Sequence, residues 1–473
     1  MRSKSITVHP NALNNRIDRN QNNIMNRTLS GLVTAGLLIA TTQSIGADRA
    51  VTAPTTLTLQ DCIDLALKQN PSVLKAREEI RRTHGVIVEA LAPAIPQVTA
   101  SGGYQRIDRN TIDSFPSSTN IFKNQVQPWA AQIEVSQLVY AGGRVSAALR
   151  AAKLSDQIAA LGFQRTVADT ILSVRTAFYQ ILLNKAQVEV REQSVRLLDQ
   201  QLRDAQSRFD VGAVPRFNVL RAEVELANAK PPLIRAQNDL RLSKEGLVKL
   251  LAIDSKNQTN DFTPINFEGQ LIYEHRAWQL STALQQALDH RPELLQAERQ
   301  VGVAKASVRV ASSGYKPEAS VFGNYGWHDR TFSDQIDNTR EGWTLGATVT
   351  WAIFDGMLTH GRVTQARAQL QEANLDYADT RRQVELEVRQ AYSDYLQTLE
   401  LIEAQKKTVE EAEESLRLAE ARFRAGTGTQ LDVLSAQTAL TDARSNEVQA
   451  LHDYNVALAT LERVTGMTVR IAD

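Results

Sequence analysis

The strongest constraint on this chain is an internal duplication that spans most of its length. The segment Arg208–Gly212 (RFDVG) recurs in the second half as Arg422–Gly426 (RFRAG). The same offset pairs Trp129 with Trp343. A fold for this sequence must therefore be built from two similar repeats that follow one another along the chain.

The first 47 residues have the composition of an export signal. Residues 29–42 are apolar and uncharged, follow Arg27, and lead into the small residues Ser44–Ala47, which is the pattern of a secretory signal peptide. The apolar stretch is shorter than the roughly 20 residues that a membrane-spanning helix needs. We therefore predict a signal peptide over residues 1–47, with translation starting at Met25, and export of the mature chain.

The composition excludes several classes of protein. The 53 Lys and Arg residues are balanced by 53 Asp and Glu residues, so the chain lacks the basic excess of a nucleic-acid-binding protein. The single cysteine, Cys62, excludes an intramolecular disulfide framework and a thiolate metal cluster. The sequence contains no Gly-x-x-x-x-Gly-Lys-Ser/Thr loop, no His-Glu-x-x-His pair and no Gly-x-Ser-x-Gly elbow. We predict no enzymatic activity, no cofactor and no metal site.

Each repeat reads as helix, strand, loop, strand, long helix, tight turn and helix. The long helices carry apolar residues at steps of three and four, the spacing of a coiled-coil seam. The positions are Val195, Leu198, Leu202, Ala205 and Phe209 in the first repeat, and Val409, Ala412, Leu416, Ala419 and Phe423 in the second. A helix over residues 143–208 would be about 100 Å long at about 1.5 Å per residue, which exceeds the diameter of a globular domain.

The return path to the strands is predicted in two pieces, helices 217–251 and 279–312. By the duplication, helix 431–465 should stack end-on with helix 58–92. Pro231-Pro232 falls inside the first return helix. Because proline has no backbone N–H group, the pair predicts a kink or a break there.

These elements define the predicted domain organisation of the exported chain. The first repeat covers residues 48–252, with strands at about 97–108 and 128–140 and a helical hairpin tip at about 208–216. An equatorial linker region over 253–278 leads to the second repeat over 279–467, which has strands at about 318–328 and 343–354 and a tip at about 422–430. A tail over 468–473 follows.

The strand candidates alternate between apolar and small polar residues. Trp343, Leu345 and Val349 fall on one face, continuing to Trp351 and Ile353, with threonine and glycine between them. The pattern is typical of transmembrane β-strands, although a half-buried sheet in a soluble protein gives the same alternation. Four strands cannot close a barrel, and open edges in lipid leave backbone groups unpaired. A membrane location would therefore require an oligomer.

With these features the chain, over roughly residues 57–467, resembles the TolC-type outer-membrane efflux protein family (outer membrane factor). The resemblance is carried by Arg208–Gly212, by Arg422–Thr427 and by Phe354-Asp355-Gly356. It implies a mainly α fold with a β-barrel part. Three copies of the chain, each with duplicated helix-strand-strand-helix repeats, would together form a 12-stranded transmembrane β-barrel from their strands. Their helices would continue it as a long α-helical periplasmic barrel.

The resemblance also implies a location and a set of partners. The protein would lie in the outer membrane of a Gram-negative bacterium, in contact with outer-membrane lipid, and extend into the periplasm as a homotrimer. Its partners would be a periplasmic adaptor (membrane fusion protein) and an inner-membrane pump of the RND, ABC or MFS type. The predicted function is that of a passive exit duct in a tripartite efflux or type I secretion system; a periplasmic coiled-coil scaffold is the alternative.

The family closes its periplasmic entrance at the hairpin tips, and this sequence departs from the family pattern there. Asp432 corresponds to an aspartate ring, but the second expected aspartate is Ser435. The expected tyrosine is Phe423, its aspartate partner is Asn218, and an expected arginine is Gly428. Phenylalanine has no hydroxyl to donate, so the gate either closes through apolar packing or rests less tightly shut. Alternatively, Asp432 only favours a helix start.

The resemblance further implies that the hairpin tips meet the adaptor. The tip residues are Val211, Gly212, Ala213, Ala425, Gly426 and Thr427. Taken by themselves, the two glycines indicate a chain reversal, because glycine adopts positive φ without a Cβ clash.

Overall fold

A computed structural model of the protein describes residues 56–106, 129–253, 265–329 and 339–467. The first repeat comprises β1 (Thr56–Leu57), α1 (Leu59–Gln69), α2 (Pro71–Leu91), β2 (Gln97–Tyr104), β3 (Trp129–Ala141), α3 (Arg144–Asp210) and α4 (Arg216–Leu250). The second comprises β4 (Asn266–Phe267), α5 (Leu280–His290), α6 (Pro292–Ser312), β5 (Glu318–Asp329), β6 (Arg340–Thr350), α7 (Leu358–Arg424) and α8 (Gln430–Val464). The predicted signal peptide and tail lie outside the described residues.

The chain divides into two compact units. One is Met1–Lys75, Gln164–Arg291 and Gln383–Asp473, and the other is Ala76–Phe163 and Pro292–Arg382. Each unit takes elements from both repeats, so matching parts of the two repeats pack together rather than each repeat folding separately. In the part of the chain that the structure describes, no helix is both long enough and apolar enough to cross a membrane.

The second unit contains a four-stranded antiparallel sheet in the order β2-β3-β5-β6. Trp129 pairs with both Tyr104 and Asp329, so the first three strands are aligned at one end. A register shift between Leu138 and Tyr140 marks a bulge in β3. The apolar side chains that alternate along β6, Trp343, Leu345 and Val349, are all strongly exposed, and the threonines between them are exposed as well.

The predicted strand over 343–354 is wrong at its C-terminal end, because β6 stops at Thr350. Thr350 pairs with Glu318, the first residue of β5, so the residues beyond it have no partner strand. Instead, the indole of Trp351 donates to the carbonyl oxygen of Tyr315 at 3.2 Å. The Asp355 carboxylate accepts from the backbone N–H of Thr359 at 2.8 Å, which prepares the start of α7.

The other strand limits shift by smaller amounts. Strand β2 ends at Tyr104 rather than near residue 108, because its pairing with β3 ends there. Residues 107, 108 and 128 lie outside the described ranges. The predicted strands at about 128–140 and 318–328 are observed as Trp129–Ala141 and Glu318–Asp329.

The predicted helices 58–92 and 279–312 are each interrupted by proline. Asn70 and Arg291, which precede Pro71 and Pro292, both have extended backbone conformations and end α1 and α5. Proline disfavours the helical conformation for the residue before it, so each predicted helix becomes two.

The prolines at 231 and 232 have the opposite outcome. Helix α4 continues through both of them from Arg216 to Leu250, so a break at this point is not observed. The carbonyl groups of Ala227 and Asn228, which would accept from these two positions, belong to exposed residues that water can reach.

The first unit holds the predicted apolar seam. Val174 and Phe178 on α3 are buried with Leu247 on α4 and Phe267 on β4, and the two phenylalanine rings meet edge to face at 6.2 Å. In the second repeat Val388 and Tyr395 on α7 join Tyr454 and Leu461 on α8. Nearer the hairpin tips, Leu198 and Ala205 are buried as the seam predicts.

A stretch of irregular backbone before α5 is held by side chains of α7 and α8. The hydroxyl of Tyr395 donates to the carbonyl oxygen of Arg276 at 2.7 Å, and Tyr454 donates to that of Glu274. The Asn455 amide reaches the carbonyl of Ile272 at 3.2 Å. These side chains thus supply hydrogen-bond donors for three backbone carbonyl groups that have no partner in a helix or a strand.

Ion pairs reinforce the same unit. Arg291 is only 3% exposed and donates to Glu387 at 2.5 Å, while Arg463 donates to Asp169 at 2.6 Å. Partial burial would raise the pKa of Glu387, but hydrogen bonds from Arg291 and Gln383 outweigh it, and the net pKa is lowered. Glu387 therefore stays ionised opposite the buried guanidinium.

Candidate functional site

The tip of the first hairpin, between α3 and α4, is closed by a glycine in the left-handed conformation. Gly212 has φ of +73°. Its N–H donates to the carbonyl of Phe209 at 2.8 Å, and the N–H of Ala213 donates to that of Arg208 at 2.8 Å. This pair of bonds is a Schellman motif, which satisfies the last carbonyl groups of α3.

The tip of the second hairpin, between α7 and α8, repeats this geometry. Gly426 has φ of +78°, and its N–H donates to Phe423 at 3.2 Å while that of Thr427 donates to Arg422 at 3.0 Å. The duplication therefore extends to individual backbone hydrogen bonds. The predicted tips start at about residues 208 and 422, whereas helices α3 and α7 continue to Asp210 and Arg424. The Schellman bonds are accepted by carbonyl groups of the last helical turn, so the first residues of each predicted tip still belong to the helix.

Gly428 makes the second tip tighter than the first. Its N–H adds a further bond to the carbonyl of Arg422 at 3.1 Å. A Cβ atom at this position would lie 3.0 Å from the Cβ of Arg422 and 3.1 Å from the backbone nitrogen of Phe423. The arginine that the family pattern expects would therefore require the backbone of this tip to shift.

The two return helices begin differently. Helix α8 has a capping box: the Thr429 N–H donates to the Asp432 carboxylate at 2.8 Å, and the Asp432 N–H donates to the Thr429 hydroxyl at 3.3 Å. Helix α4 has Pro215 at its N-cap, without a side-chain cap. Asn218 occupies the position that corresponds to Asp432.

The capping box supports the interpretation of Asp432 as a helix-start residue. Hydrogen bonds from the backbone and side chain of Thr429, with the nearby charge of Arg422, lower the pKa of its carboxyl group. The side chain is nevertheless exposed, as is Ser435 one turn later. A cap and a negative charge at an entrance are therefore compatible roles for the same carboxylate.

Phe423 lies between the two hairpins. It packs against the apolar cluster of its own hairpin that includes Leu416 and Val433. The guanidinium carbon of Arg208, on the first hairpin, lies 5.0 Å from the centroid of its ring, a cation–π contact. This contact was not predicted from the sequence, although the Arg-Phe dipeptide that recurs in both repeats was a signal for it.

A cavity of about 280 Å³ lies beside this contact. Its lining includes Asn218 and Phe423, two of the predicted gate residues, together with Arg208, Asp204 and Glu420. Asp432 and Ser435 are not among the residues described as lining it. The structure therefore brings together only part of the predicted gate.

Further contacts hold the hairpins along their length. Leu434 on α8, 5% exposed, clusters with Leu198 on α3. The amide of Gln201 donates to that of Gln437 at 2.7 Å. Arg444 on α8 reaches Gln193 on α3 at 3.2 Å and Glu413 on α7 at 2.9 Å.

The predicted tip residues are all exposed, with Val211 at 78%. The tips therefore present backbone turns and small side chains to their surroundings. Within the described ranges, no group of three His, Cys, Asp or Glu side chains is placed to hold a metal ion.

Two helical hairpins with matching tips, joined to an antiparallel sheet with an exposed apolar face, define a class of duplicated outer-membrane protein. The family model described as outer membrane efflux protein matches residues 62–252 and 283–467. The chain belongs to this family, and the predicted localisation in the outer membrane, with an extension into the periplasm, is confirmed.

Comparisons with individual proteins agree. Outer membrane protein TolC of Escherichia coli (strain K12) is 23% identical over 416 residues, covering 84% of this chain and 80% of that protein. Outer membrane efflux protein BepC of Brucella suis is 22% identical over 435 residues, covering 92% and 90%. The crystal structure of the Campylobacter jejuni CmeC outer membrane channel matches with a TM-score of 0.74 at 18% identity, covering 88% of this chain and 87% of that one.

The capping box generates a test of the local role of Asp432. Replacing Thr429→Ala removes the hydroxyl cap, which typically stabilises a helix start by about 1 kcal/mol. We expect the amide of Asp432 to exchange its hydrogen about fivefold faster in native-state exchange measurements. Pro215→Ala is the matched control, because that position has no side-chain cap to lose. If Pro215→Ala speeds hydrogen exchange at the equivalent amide of α4, that of Asn218, as much as Thr429→Ala speeds it at Asp432, the capping role of Thr429 is contradicted.

Proposed function

We propose that the protein is the outer-membrane exit duct of a tripartite efflux or type I secretion system, which passively conducts substrates delivered by a periplasmic adaptor and an inner-membrane pump. The observation that carries the proposal is the duplication of a helical hairpin down to its tip hydrogen bonds, joined to a sheet that exposes its apolar face. A soluble coiled-coil scaffold is disfavoured, because it would gain nothing from exposed tryptophan and leucine on strands.

The sheet edges support assembly of several copies. Among the described residues, β2 and β6 each pair on one side only. In a bilayer, edge N–H and C=O groups must find partners within the protein. Pairing β6 of one copy with β2 of the next would satisfy both edges, and three copies would close a barrel of 12 strands.

The helices support the same assembly. Leu434 on α8 is buried against Leu198, but Leu220, at the corresponding position of α4, is 47% exposed. Glu223, which lies close to Leu220 on α4, is exposed as well, whereas its counterpart Gln437 is only 3% exposed. A face that is covered within the chain in one repeat is thus left open in the other. The α7 helix of a second copy, which corresponds to α3, would cover it.

The tips support contact with an adaptor. They are exposed, turn on glycine and repeat the same backbone geometry in both hairpins. Because the sequence carries no nucleotide-binding loop and no catalytic motif, the energy for transport would come from the pump, and the duct would act as a passive, non-enzymatic conduit.

Native mass measurement tests the assembly. We expect the detergent-solubilised protein, extracted from the outer-membrane fraction, to have three times the mass of the chain. Leu220→Asp should lower the trimer fraction, because it places a charge on the apolar face of α4. A soluble monomer in the wild type would refute the proposal.

A change of charge at one tip tests the adaptor contact. A Cβ at Gly212 meets no atom within 4 Å, so a substitution there strains only the positive φ. Asparagine and aspartate tolerate that conformation similarly. We expect Gly212→Asp to abolish export while trimers still assemble, and Gly212→Asn, the neutral control, to retain most export. Normal export in the aspartate variant would argue against docking at this tip.

Single-channel recordings test the gate. Three copies of Asp432 in a narrow entrance would attract cations. We expect Asp432→Asn, which keeps an acceptor for Thr429, to reduce cation selectivity and block by trivalent cations, and Ser435→Asp to strengthen that block. Glu411→Gln, an exposed carboxylate away from the tip, is the control. Unchanged selectivity in Asp432→Asn would leave that residue only its capping role.

A further inference from the structure

The contact between Arg208 and Phe423 joins the two hairpins of one chain at their tips. The guanidinium carbon lies 5.0 Å from the ring centroid. Arg208 belongs to the last turn of α3, and Phe423 belongs to the last turn of α7. The two residues are therefore held by different hairpins, and the stack persists only while the tips stay together.

The duplication supplies a second copy of each partner. Arg422 corresponds to Arg208, and Phe209 corresponds to Phe423. The backbone around them is alike, because the carbonyls of both arginines and both phenylalanines accept the Schellman bonds of their tips. Each hairpin thus presents one arginine and one phenylalanine in the same local setting, but only the Arg208–Phe423 combination stacks within the described chain.

The remaining pair is available at the surface. Phe209 is 37% exposed, unusually open for a ring at a seam position, and Arg422 is exposed as well. Arg422 lies near Asp432, whose pKa it helps to lower, so its charge is at the tip of the second hairpin. These residues lie on the outward sides of the two hairpins if the sides that carry Arg208 and Phe423 face each other.

We propose that Arg422 of one copy stacks on Phe209 of the next copy. In a ring of alternating first and second hairpins, each contact would join the arginine of one hairpin to the phenylalanine of the following hairpin. The contact inside a chain uses Arg208 and Phe423, and the contact between chains uses the two residues that are left. The tips are then closed by Arg–Phe stacks that alternate within and between copies.

The proposal rests on the trimeric duct proposed above and adds the residues that close its entrance. The same relation applies to the buried contact between Leu434 and Leu198. Replacing each residue by its counterpart in the other repeat gives a contact between Leu220 of one copy and Ala412 of another. Leu220 is exposed on the single chain, as the relation requires. Phe423 lacks the hydroxyl of the family's tyrosine, and in this scheme its ring face replaces that hydroxyl as the point of attachment.

Photocrosslinking tests the geometry directly. Phe209 is replaced by the photoreactive residue p-benzoyl-phenylalanine in the full-length protein, and purified trimers are irradiated. We expect covalent dimers and trimers of the chain on denaturing gels, with mass spectrometry joining the peptide of residue 209 to the peptide that contains Arg422. The matched control is the same replacement at Phe423, which should yield a single-chain product joined to the peptide of Arg208.

Channel recordings test whether the stacks hold the entrance shut. Phe209→Leu keeps an apolar side chain but removes the ring face, and Arg422→Gln removes the cation. An exposed cation–π stack biases an equilibrium by about two- to fivefold, so losing three of them should raise the open-to-closed ratio by about ten- to a hundredfold. The double variant Phe209→Leu/Arg422→Gln should show no larger effect than either change alone, because both remove the same contact.

The outcomes separate this proposal from the proposed function. A wild-type monomer would refute the duct itself. Intact, conducting trimers in which residue 209 crosslinks only within its own chain, or to a peptide remote from Arg422, would overturn the between-copy stack alone. Additive effects of the two single changes in the double variant would likewise overturn it, because they would show that the residues act separately.

Discussion

The apolar seam between the long antiparallel helices is the constraint on which the rest of the structure depends. Buried residues such as Leu198 on α3 and Leu434 on α8 pack the first hairpin against the second. Because that packing sets the position of both tips, it also decides which tip residues can meet. The Arg208–Phe423 stack and the cavity beside it follow from the seam, and so does the open face of α4.

The duplication makes the departures between the repeats informative. Both tips share the Schellman bonds, which shows that the backbone reversal is common to them. The second tip adds the Gly428 bond and the Thr429–Asp432 capping box, whereas the first has Pro215 and neutral Asn218 at the matching positions. The second tip therefore has more hydrogen bonds holding its turn and its helix start, and it carries the carboxylate of the proposed gate.

The same comparison explains why one chain is incomplete. Leu220 and Phe209 on the first hairpin are exposed, although Leu434, the counterpart of Leu220, is buried, and Phe423, the counterpart of Phe209, is covered by Arg208. Among the described residues, the edge strands β2 and β6 are likewise incomplete, because each has a hydrogen-bonded neighbour on one side only. An assembly that covers these surfaces removes exposed apolar area and pairs backbone groups together, so the helical and sheet parts of the chain favour the same solution.

Local sequence determined the elements whose causes are local: the helical seam, the alternation of the strands, the glycine turns and, through Thr429-x-x-Asp432, a capping box that the sequence pattern already contains. The ends at Asn70 and Arg291 were equally local, since Pro71 and Pro292 follow them. Only the tertiary structure decided that α4 passes through Pro231-Pro232, that β6 stops where β5 begins at Glu318, and that Arg208 covers Phe423. These outcomes depend on partners distant in the chain or on access to water, which no window of neighbouring residues contains.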